Sequence, residues 1–361
     1  MTADTVIAGA GLAGAAAALA LAPSRRVVVL DSGAPGASAA AAGLVNPFLG
    51  RKAKRAWRAD EALRALGGLL ERAGAPGLWR RTGLLRPAQA PAQAEAFHQR
   101  QAEHPDLLEW VRPEASAERF PHVRAPHGAL WVREGGHADV GAVARAALHA
   151  ALREGAVVLR RKLTGWRAGV ARTDAGNIRA RHLLLCTGAG MPPLAPRLPL
   201  HRVKGQTLCV RPARPLASVP VSGGAYAVPA ADGTWTLGAT FEHAYATESP
   251  TPEADVWLRE RIAGVVPALA DAALVERRAG VRLTVPAAAR PHGAGRLPLV
   301  GPLAWAPGAA PEAGGLSVWA FGALGAKGLL TAPLLARHLP TWLNAPEAIP
   351  PEVSTAALRT R

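Results

Sequence analysis

The amino-terminal stretch constrains the fold more than any other part of the chain. Thr5-Val6-Ile7-Ala8 runs into Gly9-Ala10-Gly11-Leu12-Ala13-Gly14, and an alanine and leucine run follows as far as Pro23. The apolar segment, the glycine turn and the apolar run read as strand, tight turn and helix. Gly9 permits the sharp turn, Gly11 lets a backbone approach a pyrophosphate, and Gly14 lets the helix lie close to the strand. Leu12 and Ala13 complete this set, because first-turn N–H groups of a helix can face phosphate. A second strand, Arg26-Val27-Val28-Val29-Leu30, ends on Asp31. That acid lies about twenty residues past the glycines, where a βαβ unit brings a carboxylate to ribose hydroxyls. The pattern therefore predicts a dinucleotide site and fits FAD and NAD equally.

With 361 residues and 49% hydrophobic composition, the chain can bury a large core, and its length suggests two domains or one domain with a large insertion. The uncharged run from Val6 to Ser24 is broken by glycines and follows an acidic segment, so it reads as neither a signal peptide nor a membrane span. The two cysteines, Cys186 and Cys209, stand alone in apolar runs, which predicts no zinc site, no disulfide framework and a cytoplasmic location. Histidines 98, 104, 122 and 127 lack metal-ligand spacing on one face, and no metal site is expected. The net charge of +16 is carried almost wholly by arginine. It reads as the product of GC-rich coding rather than as a polyanion footprint, with the cluster Arg51 to Arg58 as the place where nucleic acid would dock.

Further along, leucines at 63, 66, 69 and 70 predict a helix over 60–73, and other helices are expected over 91–103, 140–155, 252–266 and 329–339. The small-residue segment Ser32 to Gly43 reads as a loop that can lie against a flat ligand. The apolar strand His182 to Cys186 ends in Thr187-Gly188, a turn that would sit beside the first glycine loop in a doubly wound sheet. From Leu200 onward short alternating segments predict an antiparallel sheet, with Asp232-Gly233 as a hairpin turn and a last strand over 276–284. Finally, a strand over 316–321 enters a second glycine turn, Gly322 to Gly328, which opens a helix whose N-terminus can face an electron-rich group.

Taken in order, these segments resemble the D-amino acid oxidase superfamily of FAD flavoproteins. The likeness is to its glycine oxidase and sarcosine oxidase branch and to the FAD domain of the tRNA-modifying methylaminomethyl-uridine enzymes. It rests on Gly9 to Gly14 with Asp31, Ala42-Gly43 to Asn46-Pro47, Thr187-Gly188, Lys204-Gly205-Gln206, the Pro229 to Thr240 hairpin, Gly280-Val281-Arg282 with Pro298 to Gly301, and Gly322 to Gly328 followed by Ala332-Pro333. The resemblance implies FAD over NAD. It also implies an α/β fold in which a Rossmann-like FAD-binding domain of the GR2 type is joined to an antiparallel β-sheet domain with helices. Residues 1–47, 136–200 and 280–342 would form the first, 48–135 and 201–279 the second, and 343–361 a tail.

Carried over residue by residue, the resemblance implies that Gly9, Gly11 and Gly14 hold the pyrophosphate and Asp31 the adenosine ribose. It puts Ala42 and Gly43 along the flavin, with Thr187 and Gly188 in the cofactor set, and sets Gly325, Ala326, Lys327, Gly328 and Leu329 at the pyrimidine edge of the isoalloxazine, where Lys327 would also act in catalysis by stabilising negative charge at N1 and O2 of the reduced ring. Arg282 would meet a substrate carboxylate and Tyr226 would face the substrate, although Leu283 and Arg290 depart from the pattern that relatives show after this arginine. The implied activity is oxidation of the C–N bond of a small amine or amino acid, with hydride passing to flavin N5, imine hydrolysis and reduction of oxygen to peroxide. Two other readings stand beside it. One is an oxidase acting on a modified wobble uridine of tRNA, and the other a flavin- or RNA-binding protein without activity.

Overall fold

The computed structural model describes residues 1–167, 169–291, 296–305 and 315–358. Its first layer is a six-stranded sheet in the order Val157–Leu159, Val27–Leu30, Thr5–Ala8, His182–Leu185, Ser317–Gly322 and Leu299–Pro302. The first five strands run parallel and the last is antiparallel. Val27–Leu30 and His182–Leu185 are buried throughout. Their near-continuous apolar sequences suit a parallel sheet that is covered on both faces.

Alternation along each strand decides what covers which face. Ile7, Leu184 and Trp319 point into a core shared with the helices Leu12–Leu21, Ala59–Arg72, Val140–Arg153 and Gly328–Ala336. Val6, Leu183 and Val318 point the other way, onto a small antiparallel sheet through Leu163, Ala171 and Ile178. That small sheet has three strands, Leu163–Arg167, Val170–Thr173 and Gly176–Arg179.

The second layer is an eight-stranded sheet in the order Ala273–Thr284, His201–Arg211, Trp235–Gly238, Tyr226–Pro229, Val221–Ser222, Leu84–Pro87, Ala129–Val132 and Leu108–Val111. Its neighbours are antiparallel except where Val221 meets Leu85. The long pair formed by Ala273–Thr284 and His201–Arg211 is its spine. The first of these begins three residues before the expected Glu276 and runs unbroken across residue 280.

Helix ends follow local chemistry. The helix over 252–263 stops at Gly264, short of the expected Val266. The last expected helix divides into Gly328–Ala336 and Leu339–Trp342. Pro340 cannot donate a backbone hydrogen bond, which suits the first turn of a new helix better than the continuation of an old one. The loop over 32–43 contains a single helical turn, Ala37–Ala40.

Candidate functional site

The two glycine turns leave the carboxyl ends of parallel strands in the six-stranded sheet and meet. Gly9 has φ +108°, and a Cβ there would lie 2.4 Å from the Cys186 carbonyl oxygen. A Cβ on Gly14 would lie 1.8 Å from the Gly9 oxygen, so the helix can approach the strand this closely because both positions lack side chains. Gly11 is the N-cap of the Leu12–Leu21 helix and offers no side chain to its first-turn amides, while the Leu12 N–H donates to Ser38 Oγ at 3.3 Å. Ala13 is buried behind it. Thr187 follows the strand next door, within 3.3 Å of the Cβ position on Gly9, and its buried Oγ1 has no partner among the described residues.

Gly325, with φ +56°, donates its N–H to the Leu283 oxygen at 3.0 Å. The second turn is thereby tied to the strand that carries Arg282. A Cβ on Gly328 would lie 3.1 Å from Leu12 Cδ2, which brings the N-termini of the two helices side by side. Ala326 is exposed and Leu329 buried. Two helix N-termini, a cradle that side chains would fill and an orphaned threonine hydroxyl make a donor set suited to an anionic dinucleotide.

Two members of the expected set have partners that sequence does not reveal. Asp31 accepts the Gly33 N–H at 2.9 Å and forms an ion pair with Arg160 at 2.9 Å. Lys327 donates its ammonium to the Arg296 oxygen at 3.1 Å, and burial, helped by the Arg296 charge, lowers its proton affinity.

The small-residue segment joins the region of the glycine turns to the second sheet. Gly43 has φ +78°, a Cβ there would lie 1.8 Å from the Ala138 oxygen, and its own oxygen accepts the Ala138 N–H at 2.8 Å. Ala42, just before it, is half-buried. The Ala37–Ala40 turn lies on the eight-stranded sheet at Gly280, where a Cβ would come within 2.9 Å of Ala37 Cα. Thr207 Oγ1 adds a hydrogen bond to the Ala40 oxygen at 3.2 Å.

On this same sheet face Arg282 and Tyr226 lie over glycines. The register pairs Gly205 with Gly280 and Gly238 with both Thr207 and Tyr226. A Cβ on Gly205 would lie 2.4 Å from Arg282 Nη2, and one on Gly238 would lie 2.4 Å from the Tyr226 hydroxyl. These two glycines form a floor on which a guanidinium and a phenol rest flat. Arg282 donates from Nη2 to the Thr240 oxygen at 3.0 Å, while its buried Nε has no partner among the described residues. Its guanidinium stacks 4.0 Å from the Phe241 ring, which is 57% exposed. Burial lowers the Arg282 proton affinity against the influence of Tyr226, and it pushes the Tyr226 phenol up to about 12 despite the arginine.

Some participants are silent in the sequence. Phe241 and Thr240 follow the strand Trp235–Gly238 as ordinary residues, and no spacing marks Arg160 as a partner for Asp31. Arg290 proves to be buried, donating to the oxygens of Glu352, Leu297 and Pro298, which gives this departure from the pattern a structural task. The basic cluster is partly neutralised within the chain. Arg55 pairs with Asp60 and Glu134, and Arg58 with Glu61, while Arg51, Lys52 and Lys54 stay exposed. No helix among the described residues is long and apolar enough to cross a membrane.

The family described as DAO, FAD dependent oxidoreductase, matches residues 4–341. A glycine oxidase of Pseudomonas aeruginosa is 39% identical over 119 residues, which is 32% of this chain and 32% of that protein. A bifunctional protein of tRNA 5-methylaminomethyl-2-thiouridine biosynthesis from Polaromonas sp. is 30% identical, aligned over 98% of this chain and 59% of its own length. The matched regions thus span less than two thirds of either relative. Among solved structures, glycine oxidase from Geobacillus kaustophilus is 25% identical, with a TM-score of 0.79 over 96% of this chain and 95% of that one. Iminodiacetate oxidase from Chelativorans sp. shares the fold, with a TM-score of 0.75 at 24% identity and coverage of 96% and 97%.

Proposed function

The chain belongs to the DAO family of FAD-dependent oxidoreductases, and from that premise we propose that it oxidises the C–N bond of a small amino acid or amine bearing a carboxylate. The observation that carries this reading is Arg282. Among the described residues it is a largely buried guanidinium on a glycine floor, with no partner at Nε and a single neutral acceptor at Nη2. A buried charge without a counter-ion is costly, and a carboxylate bound by the planar fork would relieve that cost. Glycine oxidase among the relatives and solved structures supports an amino-acid substrate.

In this reading Arg282 fixes the carboxylate end of the substrate. Tyr226 stays a neutral phenol and offers a hydrogen-bond donor beside it, and Phe241 closes the arginine from solvent. The glycine turns at 9–14 and 325–328 hold FAD, together with Asp31, Ala42, Gly43, Thr187 and Leu329. FAD supplies the hydride acceptor, and orienting the substrate against it is the protein's share. No side chain is assigned as general base, because a neutral amine supplies its own driving electron pair.

The test is anaerobic mixing of the FAD-loaded protein with glycine, sarcosine, proline and D-amino acids. Bleaching of the flavin absorbance by one of them is expected, and an unbleached flavin throughout the panel would refute the small-substrate reading.

The alignment of one tRNA-biosynthesis relative along 98% of the chain favours one alternative, a modified wobble uridine of tRNA as substrate. A net charge of +16 suits it, while the internal ion pairs of Arg55 and Arg58 take away part of the apparent docking patch. Binding of tRNA that weakens steeply with salt would support this alternative, and a flat salt response would count against it.

A further inference from the structure

Behind the arginine lies a polar network that the reading above does not use. Arg282 crosses the strand His201–Arg211 at Gly205 to reach the Thr240 oxygen. The Thr240 hydroxyl accepts the Gln206 N–H at 2.9 Å and donates to Glu242 Oε1. Glu242 Oε1 also accepts from Gln206 Nε2 at 2.9 Å, and Gln206 Oε1 in turn accepts the Thr251 N–H at 2.7 Å, where the helix over 252–263 begins. Lys204, whose side chain is 1% exposed, faces Glu242 Oε2 at 3.6 Å. Paired backbone bonds between Lys204 and Glu242, both 3.0 Å, extend the strand contact beyond Gly238.

Alternation puts Lys204 and Gln206 on the face of the sheet opposite Gly205. Thr240 therefore joins two sides. Its carbonyl holds the arginine on the substrate face, and its hydroxyl is held by the carboxylate network. Burial raises the Glu242 carboxyl, but hydrogen bonds from Thr240 and Gln206 and the charge of Lys204 outweigh it and keep the group ionised. With Lys204 as its counter-ion, this acid is engaged away from Arg282, which leaves the guanidinium for a ligand.

We propose that Glu242 is a positioning residue for carboxylate recognition: through Thr240 it fixes the carbonyl that orients the Arg282 guanidinium. This rests on the reading of Arg282 as the carboxylate anchor. The role of Glu242 is that of a hydrogen-bond acceptor for Thr240, and Lys204 neutralises the charge which that acceptor carries.

The test is a titration of the FAD-loaded protein with glycolate, a carboxylate without an amine, followed by perturbation of the flavin spectrum, with FAD content and melting temperature recorded for each variant. Arg282→Met should weaken glycolate about a hundredfold. The pair Lys204→Met/Glu242→Ala should weaken it about tenfold, because the Thr240 hydroxyl loses its acceptor. Lys204→Met/Glu242→Gln, which restores an acceptor without the charge, should return affinity to within about threefold of the parent. Thr240→Val keeps the carbonyl and removes the hydroxyl, and it should behave like the alanine pair even if that pair folds poorly. Equal weakening by the alanine and glutamine pairs, or no weakening by Thr240→Val, would overturn the positioning role while the anchor stands. An unchanged affinity in Arg282→Met would instead remove the anchor and the positioning role with it.

Discussion

The proposed cofactor side and the proposed substrate face of this molecule are built from different materials. Around Gly9 to Gly14 and Gly322 to Gly328, backbone does the work: helix N-termini, positive φ and missing side chains shape the cradle. On the eight-stranded sheet, glycines at 205 and 238 serve instead as a floor for the side chains of Arg282 and Tyr226, which come from different strands. A backbone cradle accepts few substitutions at its glycines and is nearly indifferent to its neighbours. A side-chain site depends on residues distant in sequence and can be retuned one residue at a time. In the proposed reading, the first kind would hold a fixed cofactor and the second would suit a variable substrate.

The largest effect expected from this contrast is at Gly14. A Gly14→Val side chain collides with the Gly9 oxygen and should cost about 3 kcal/mol or more, with loss of FAD, as read by denaturant unfolding and flavin content. A variant that folds with normal FAD would break the contrast. Acid should act on the six-stranded sheet as well, at the strand ends away from the glycine turns. His182 is buried in the six-stranded sheet, where burial, aided by Arg25 and Arg181, lowers its pKa from 6.5 to about 4. Its unfolded form therefore binds a proton at higher pH than its folded form, so the stability this group contributes is present above pH 6.5 and is lost between 6.5 and about 4. The loss amounts to roughly 3 kcal/mol, and His182→Phe should flatten that part of the stability profile.

On the substrate face the same kind of change should read differently. Gly205→Ala pushes chiefly on the end of a flexible arginine and meets backbone only at the Thr240 oxygen, 3.2 Å away, so FAD content should hold while KM for a carboxylate substrate rises about tenfold. Loss of FAD in this variant would blur the distinction. The smallest effect belongs to Arg160→Ala. The Arg160 side chain is 70% exposed, so its ion pair with Asp31 should shift the FAD dissociation constant by no more than about threefold, measured by flavin fluorescence.

The same contrast explains what could be read before the structure. Gly9, Gly11, Gly14 and Asp31 stand close in sequence because a single βαβ unit carries them, and their spacing is set by backbone geometry. The helices over 60–73 and 91–103 were legible from apolar periodicity and from a proline at the start. Lys204-Gly205-Gln206 could be seen as a motif, but not why its middle residue is glycine. The reason lies in Arg282, far along the chain, crossing that strand to Thr240. Glu242 and Phe241 carry no local signal at all, since their importance comes from strand pairing between distant segments. Arg290 looked like a departure near the substrate and is a buried brace for three carbonyl groups.

The central claim is that Arg282 reads a substrate carboxylate beside the flavin cradle. Its most direct test compares anaerobic flavin reduction by an amino acid from the bleaching panel with reduction by the corresponding primary amide, in the parent protein and in Arg282→Met. The acid should reduce the parent flavin at least about a hundredfold more efficiently than the amide, and this preference should disappear in the variant. Equal reduction by acid and amide in the parent protein would contradict it.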